Sequence, residues 1–348
     1  MIRVRKQARQ KGFALVLVLW ILSLLTIMAG SFALTMRREA SIIEGVKNNA
    51  QAMAVAESGI AMAEMMMLIP DAAKRWRADS SVYQIDYANA RVRIRLLSET
   101  GKIDLNKADE VLLQALISQA PSDGEQQMTG LVNAILDWRD DDDLVRIDGA
   151  EKKEYQDAGL GYQPRNKPFQ SIEELQLVLG MNESIYEWLQ DLITVYSGEP
   201  TVNLQLASPE VLQVMPDLDE AVKDEYMQAR RERSANALKS GSPFNESSPF
   251  GETGQSSTPA ADSGAVTIIS EALLDDGSTA IINAIIKRSE SDQQSFGQQL
   301  FGQQSLGQQS SPFQILKWQR NYTGNDSLFT DEMSEFLVTE YAEPQFDN

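Results

Sequence analysis

The sequence contains no cysteine and no histidine among its 348 residues. Disulfide bonds are therefore excluded, and cysteine usage gives no information about the redox compartment. The lack of histidine removes the usual general base, the Ser-His-Asp triad and the common zinc sites. Chemistry based on carboxylates or on a Ser-Lys pair is not excluded, but no residue pattern indicates it. We therefore expect that the protein is not an enzyme.

Negative charge is missing from the first 36 residues, which carry five basic side chains, whereas residues 37–348 carry 26 basic and 50 acidic side chains. An acidic region of this kind argues against nucleic acid as a partner, because a basic patch is the expected footprint of such binding. It suits divalent cations or basic protein surfaces, although solubility alone would explain it.

A run of 24 residues, FALVLVLWILSLLTIMAGSFALTM, follows the basic start and has no charged side chain. It exceeds the ~18 apolar residues that indicate a membrane-spanning helix, and it is long enough to cross a ~30 Å hydrocarbon layer. Because basic flanks stay in the cytoplasm, we expect a cytoplasmic N-terminus and a single transmembrane helix over 13–36. Apolar residues at helical spacing predict that the helix continues over 37–69, before Pro70.

Three interpretations of this N-terminus compete. An ordinary signal peptide could be cut near Ala29-Gly30-Ser31, but its apolar stretch should span only ~7–15 residues. A plain signal anchor fits the length and the charges. The third interpretation is a leader, residues 1–12, that is cut between Gly12 and Phe13. A short basic leader, Gly, Phe and an unbroken apolar helix resemble the N-terminus of the type IV pilin and pseudopilin family.

Members of that family usually carry Glu at the fifth mature position, where it is thought to pair with the N-terminal amine of a neighbouring subunit. Here the position is Leu17. A buried carboxylate without its partner would be costly, so the missing Glu indicates a subunit that does not pack beneath another in the usual way. In this the chain resembles the large K-type minor pseudopilins of type II secretion systems. The resemblance implies cleavage by prepilin peptidase and methylation of Phe13.

The remainder of the chain predicts strands on both sides of a helical block. Alternating apolar residues predict two strands within 81–98 and three further strands over 265–274, 279–289 and 312–322. Helical periodicity with Asn, Ser or Asp starts predicts helices over 102–232. The Ser-, Gly- and Pro-rich residues 234–263 predict a flexible loop, the FGQQ-like repeats within 290–311 are of low complexity, and the acidic C-terminal tail should be loosely held.

The predicted fold is therefore of the α+β class. A long N-terminal helix, half in lipid and half periplasmic, packs on an antiparallel pilin-type sheet formed by 70–101 and 264–348. An all-α insertion over 102–233 interrupts this domain. Strands on both sides of the block favour one domain with an insertion, and the resemblance implies the pilin-type arrangement.

A short motif occurs twice in the insertion, once at Ile103–Ala108 and again at Val202–Ala207. The first copy resembles helix-hairpin-helix and SAM-like modules, which often bind DNA and which also occur in the K-type pseudopilins. DNA binding by such a hairpin needs glycine amides and basic neighbours that face phosphate. Here the neighbours are acidic, so we expect a paired scaffold for protein contacts.

Carboxylates are concentrated in DWRDDDD (137–143) and DGAE (148–151). Ca²⁺ takes ~6–8 oxygen ligands, and clustered Asp with a later Glu suits it, although the spacing is not that of an EF-hand. From composition alone, a solvated acidic loop fits equally well. The pattern resembles a stretch of the K-type pseudopilins, in which calcium binding is a family property. The resemblance implies Ca²⁺ as cofactor, with Asp140, Asp142 and Glu151 as first ligands and Asp137, Asp143 and Asp148 as weaker candidates.

We therefore predict a minor pseudopilin at the tip of a type II secretion pseudopilus, a structural component for protein export across the outer membrane. Its partners would be the I and J minor pseudopilins and other pseudopilus subunits, and it would lie in the bacterial inner membrane with its bulk in the periplasm. One alternative is a type IV pilus or competence minor pilin that binds DNA through the two repeats. Another is a single-pass anchor with a calcium-binding ectodomain that is not processed at Gly12.

Overall fold

The computed structural model describes the backbone of residues 13–71, 74–121, 125–216, 218–236, 264–289, 311–321 and 327–338. The predicted leader 1–12, including Gly12, lies outside the described residues, as do residues 237–263 of the predicted loop and residues 290–310. The chain divides into two compact units, Met1–Ala52 and Met53–Asn348. The first helix, α1 (Phe13–Met67), contributes to both.

The described part of the first unit consists of helix α1 alone. It has no acidic side chain before Glu39, and its apolar side chains from Leu15 to Met36 are exposed, with Trp20 75% exposed. By length and composition, α1 is the one helix among the described residues that could cross a membrane. It fits a single-pass membrane anchor. Met67 ends the helix two residues before the predicted Ile69.

A five-stranded antiparallel sheet organises the second unit, and its strands neighbour one another in the order in which they follow along the chain. Alternating apolar side chains and the turns at Asn89 and Asp276-Gly277 produce its two hairpins, as the sequence predicts. The strands are β1 (Asp79–Tyr87), β2 (Ala90–Ser98), β5 (Ala265–Leu274), β6 (Thr279–Arg288) and β7 (Phe313–Arg320).

The last turns of α1 lie on one face of this sheet. Gly59 permits the approach, because a Cβ at this position would overlap Ser270 Oγ and would lie 2.9 Å from Val92 Cγ1. The other face of β2 presents Arg95, whose guanidinium pairs with Glu210 at 3.2 Å. Since neighbouring strand residues point to opposite faces, helix α1 and the inserted residues cover different sides of the sheet.

The described residues of the insertion form six α-helices and one 3₁₀ helix, which surround a core of their own. The α-helices are α2 (Glu110–Ile117), α3 (Glu125–Arg139), α4 (Lys152–Asp157), α5 (Glu183–Leu189), α6 (Pro209–Val214) and α7 (Glu220–Asn236). The core is lined by aliphatic and aromatic side chains, among them Leu113, Leu116, Ile135, Trp138 and Tyr155.

Three details of the insertion differ from the prediction. The block is not all-α, because β3 (Ile103–Asp104) pairs in parallel with β4 (Ile193–Thr194). Residues Ile172–Leu177, predicted as part of an α-helix, form a 3₁₀ helix. Helix α7 extends through Asn236, two residues beyond the predicted start of the flexible loop. The two-residue strands are too short for period-two alternation to reveal them in the sequence.

The prediction of a loosely held C-terminal tail is wrong for residues 327–338. Leu328, Met333, Phe336 and Val338 are buried there, and the short helix α8 (Asp331–Ser334) lies within this segment. Its backbone extends the edge of β1 through hydrogen bonds from Val82 N to Phe336 O (2.9 Å) and from Val338 N to Val82 O (2.8 Å). The prediction failed because the acidic composition of this segment outweighed its few apolar side chains, which are the ones that pack against the rest of the protein. Taken together, the elements confirm a mixed helix and antiparallel sheet fold with a long apolar N-terminal helix.

Candidate functional site: the acidic segment of the insertion

Asp137 lies in the last turn of α3 and is fully buried. Its Oδ2 accepts hydrogen bonds from the backbone N–H of Ala150 (3.0 Å) and of Arg146 (3.3 Å), and its Oδ1 accepts one from Arg146 NH1 (2.6 Å). Gly149 makes this approach possible, because a Cβ there would overlap Oδ2. A buried carboxylate needs such partners. Asp137 therefore ties the loop that follows α3 back onto the helix.

Arg146 bridges two carboxylates of the segment. Its NH1 donates to Asp137 Oδ1 and also to Oδ2 of Asp140, which lies just after the end of α3. These hydrogen bonds and the two negative charges raise the pKa of the Arg146 guanidinium, although its partial desolvation opposes the change. The other oxygen of Asp140, Oδ1, is buried and has no hydrogen-bond partner among the described residues.

Glu151 is the N-cap residue of α4 and is only 5% exposed. The Glu151 backbone N–H donates to Glu154 Oε2 at 3.0 Å, so Glu154 binds back onto the start of the helix. Neither carboxylate oxygen of Glu151, however, has a hydrogen-bond partner among the described residues. Desolvation first, and then the negative charges of Asp137 and Asp140, raise the pKa of Glu151 to about 7.

The loop between α3 and α4 is held at further points. Asn133 Nδ2 donates to the carbonyl of Ile147 (2.7 Å). Asn166 Nδ2 donates both to the carbonyl of Asp142 (2.7 Å) and to Oδ1 of Asp143 (2.9 Å). Oδ1 of Asp142 accepts the backbone N–H of Leu144 at 2.8 Å. The loop is therefore ordered by amide and carboxylate side chains rather than by apolar packing.

The structure brings some of the predicted ligands together and leaves others apart. Asp137 and Asp140 share one guanidinium, and Glu151 is near enough for their charges to raise its pKa. Asp142, Asp143 and Asp148 are exposed. Within the described ranges, no group of three or more acidic side chains is arranged to hold a metal ion.

Three residues that shape this site were not singled out from the sequence: Asn133, Arg146 and Gly149. Asn166 belongs to the motif YQPRNKPF (162–169), and its positive φ of 51° is a conformation that Asn adopts more readily than most residues. Arg146 is the one basic residue between the two acidic runs, 137–143 and 148–151. That position could have indicated an ion pair with one of the runs.

The two copies of the repeated motif have equivalent local structure. The carbonyl of Asp104 accepts the N–H of the buried Ala108 at 2.8 Å, and the carbonyl of Asn203 accepts that of the buried Ala207 at 2.9 Å. The side-chain Oδ1 atoms of Asp104 and Asn203 are also equivalent. Each accepts the backbone N–H of the residue two positions later, Asn106 and Gln205 respectively. The residue after each buried alanine caps the next helix: Asp109 is the N-cap of α2, and Ser208 is the N-cap of α6.

Comparison with known proteins identifies relatives of one kind. Residues 90–198, which include the whole acidic segment, match the family model for protein K of the type II secretion system. A protein K from Klebsiella pneumoniae is 26% identical over 222 residues, which cover 58% of this chain and 68% of that protein. A protein K from Pseudomonas aeruginosa is 23% identical over 245 residues, covering 64% of this chain and 72% of that protein.

A search of solved structures finds the GspK-GspI-GspJ complex of the type II secretion system of enterotoxigenic Escherichia coli. The matched chain is 15% identical, with a TM-score of 0.43, and the match covers 83% of this chain and 99% of that chain.

The family model and the curated relatives identify the class: the chain is a minor pseudopilin of the type II secretion system. Within that class it is similar to protein K, both in residues 90–198 and in the curated relatives that it matches, and the resemblance predicted from the sequence is confirmed.

Proposed function

We propose that this minor pseudopilin is the tip subunit of the pseudopilus, as its resemblance to protein K implies, and that it serves protein export across the outer membrane. The proposed tip position rests on Leu17, which stands where the related pilins and pseudopilins usually have Glu. In α1 the apolar side chains are exposed from Leu15 onward, with no carboxylate before Glu39 to pair with the amine of another subunit. A subunit of this kind can lie beside others through its helix but lacks the usual link to a subunit above it.

The proposed route to that position follows from the N-terminus. The basic leader keeps the N-terminus in the cytoplasm, prepilin peptidase cuts between Gly12 and Phe13, Phe13 is methylated, and the bulk of the chain lies in the periplasm. The partners we propose are the I and J minor pseudopilins, and the two repeated modules of the insertion, of SAM-like or helix-hairpin-helix-like type, serve protein contacts. Acidic neighbours such as Asp109 and Glu110 in the first module support protein rather than DNA as their ligand.

Two experiments test this proposal. The intact mass of the protein purified from membranes should correspond to a chain that begins at methylated Phe13, and only when the host has prepilin peptidase. A chain that retains Met1, or one cut near Ser31, would contradict the processing step. Leu17→Glu should allow homopolymer growth without preventing tip assembly, and Leu15→Glu is the matched control because it places the same charge two residues away. Equal effects of the two variants would contradict a special role of position 17.

We also propose that the acidic segment binds Ca²⁺ through Asp140 and Glu151, with Asp137 beside them and Asp142, Asp143 and Asp148 as outer candidates. Three buried oxygens that have no hydrogen-bond partner among the described residues, Oδ1 of Asp140 and both carboxylate oxygens of Glu151, support this, because hard cations prefer carboxylate oxygens as ligands. When bound, the ion would compensate the negative charge between the end of α3 and the start of α4. The role is structural, since it would join two helices of the insertion.

Calorimetric titration of the full chain with Ca²⁺ tests this site. Asp140→Asn and Glu151→Gln should each lower the affinity at least about tenfold, since each removes one charged ligand. Asp157→Asn is the matched control, because this exposed carboxylate pairs only with Lys153 at 3.6 Å among the described residues. No heat of binding for the unmodified chain, or equal losses in all three variants, would refute the site.

A further inference from the structure

The Arg146 side chain reaches two acidic residues from a partly exposed position. Its side chain is 38% exposed, whereas that of Asp137 is fully buried and that of Asp140 is 21% exposed. The NH1 nitrogen lies 2.6 Å from Asp137 Oδ1 and also contacts Asp140 Oδ2. One positive charge is thus shared between two negative charges at the end of α3, which leaves a net negative charge there.

Other basic side chains nearby are engaged elsewhere. The guanidinium of Arg139 donates to the carbonyl oxygens of Leu105 and Ala108, the latter at 2.6 Å. Lys153 lies at the surface beside Asp157. Among the residues that the structure describes, Arg146 is therefore the one cation that forms an ion pair with Asp137 or Asp140.

The remaining carboxylate of the cluster is not compensated by Arg146. Glu151 is buried, and neither of its oxygens accepts a hydrogen bond from a described residue. Among the described residues, the three clustered carboxylates therefore differ: both oxygens of Asp137 accept hydrogen bonds, one oxygen of Asp140 does, and neither oxygen of Glu151 does. Such a set is neutralised only in part by a single guanidinium, and it retains negative charge that attracts a further cation.

From this geometry we propose that Arg146 is an internal counter-ion that competes with Ca²⁺ for Asp137 and Asp140, an inference that rests on the calcium site proposed above. Two cations at these oxygens would repel each other, so binding of the ion requires the guanidinium to leave. Its partial exposure and long side chain allow it to move into solvent. Arg146 therefore lowers the affinity for Ca²⁺, and it keeps the loop after α3 ordered when the ion is absent.

The proposal separates the effect of Arg146 on affinity from its effect on stability. Arg146→Gln should raise the affinity for Ca²⁺ about tenfold, because the competing charge is gone. In EDTA the same variant should unfold at a lower temperature than the unmodified chain, and saturating Ca²⁺ should remove most of that difference. Arg146→Lys retains the charge without the planar fork, so its affinity should lie between the two.

The test is calorimetric titration and thermal unfolding of the full chain in detergent micelles, with CaCl₂ alone as the probe. Lys153→Gln is the matched control, because it removes one positive charge from an exposed site near the cluster and should leave the affinity unchanged. If Arg146→Gln does not fold, the affinity of Arg146→Lys relative to the unmodified chain decides the question.

The possible failures can be distinguished. If the unmodified chain binds Ca²⁺ and both Arg146 variants bind it with an affinity equal to that of the unmodified chain, the calcium site stands and the competition is refuted. If Lys153→Gln raises the affinity as much as Arg146→Gln, general electrostatics explains the effect and the specific role is refuted. If neither the unmodified chain nor any variant binds Ca²⁺, the proposed site itself fails, and the competition fails with it.

Discussion

The α-carbon of Gly149 lies directly against the carboxylate of Asp137, and a Cβ at position 149 would overlap Oδ2 and come within 3.1 Å of Cγ. The carboxylate cannot move away easily, because the backbone N–H of Ala150 and the guanidinium of Arg146 hold it in place. Asp148, just before the glycine, has a positive φ of 57°. The turn between the two acidic runs therefore depends on one residue without a side chain.

Gly149→Ala should destabilise the protein by about 1–3 kcal/mol, because the added methyl group forces the loop or the buried carboxylate to shift. Chemical denaturation of the full chain measures the effect. Gly161→Ala is the matched control, since a Cβ there would meet nothing within 4 Å, and we expect its stability to be unchanged or slightly increased. Equal stabilities of the two variants would show that the turn can adapt to a side chain.

Glu99 should stabilise the contact between the sheet and the insertion. It is buried, and its Oε1 accepts a hydrogen bond from Thr267 of β5 (2.5 Å) and lies 2.8 Å from Lys102 Nζ, while its Oε2 accepts one from Thr194 of β4. Glu99→Ala leaves the Lys102 ammonium, only 11% exposed, without this ion pair. We expect a loss of about 3–5 kcal/mol in the free energy of unfolding.

The control for Glu99 is the exposed ion pair of Lys153 and Asp157, whose side chains are 81% and 69% exposed. Asp157→Ala should cost less than about 1 kcal/mol, because solvent screens such pairs. Urea denaturation of both variants gives the comparison. A cost for Glu99→Ala as small as that of Asp157→Ala would mean that the junction is held by its apolar contacts alone.

Gly59 should be required where the last turns of α1 meet the sheet. A Cβ at Gly59 would overlap Ser270 Oγ and lie 2.9 Å from Val92 Cγ1, so Gly59→Ala should cost about 1–3 kcal/mol through overpacking. Gly45, in the same helix, has open space around its α-carbon. Gly45→Ala should stabilise the helix by up to about 1 kcal/mol through helix propensity. Thermal unfolding in detergent tests the opposite signs, and destabilisation by both variants would contradict the prediction.

The sequence predicted the sheet well because its strands carry strong local signals. Strand β5 has the predicted bounds, since alternating apolar residues end at the turn Asp275-Asp276-Gly277-Ser278. Helix α2 begins later than its apolar pattern suggests, because Asp109 caps it and the preceding residues form the turn of the repeat. Local patterns therefore predicted the kind of element more reliably than its first residue.

The candidate site was predictable only in part. Asp137, Asp140 and Glu151 stand out as clustered carboxylates, but the position of Arg146 depends on how the loop returns to α3, and no local pattern encodes that return. Packing of the C-terminal segment was missed for a related reason. Leu328 is buried there because the segment contacts β2, where Arg93 NH1 donates to its carbonyl at 2.7 Å, far away in sequence.

The raised pKa of Glu151 leads to a pH dependence. Burial and the neighbouring carboxylates raise this pKa from 4.5 to about 7. Between these values the folded chain holds a proton that the unfolded chain has released, so the stability contributed by protonated Glu151 is lost as the pH rises from about 4.5 to about 7.

In EDTA, Glu151→Gln should therefore gain stability relative to the unmodified chain between pH 5 and pH 8, by about 1–3 kcal/mol. Urea denaturation at the two pH values measures this gain. Asp157→Asn, which changes an exposed carboxylate, should show no comparable gain. A stability difference between Glu151→Gln and the unmodified chain that is the same at both pH values would mean that Glu151 does not titrate in this range.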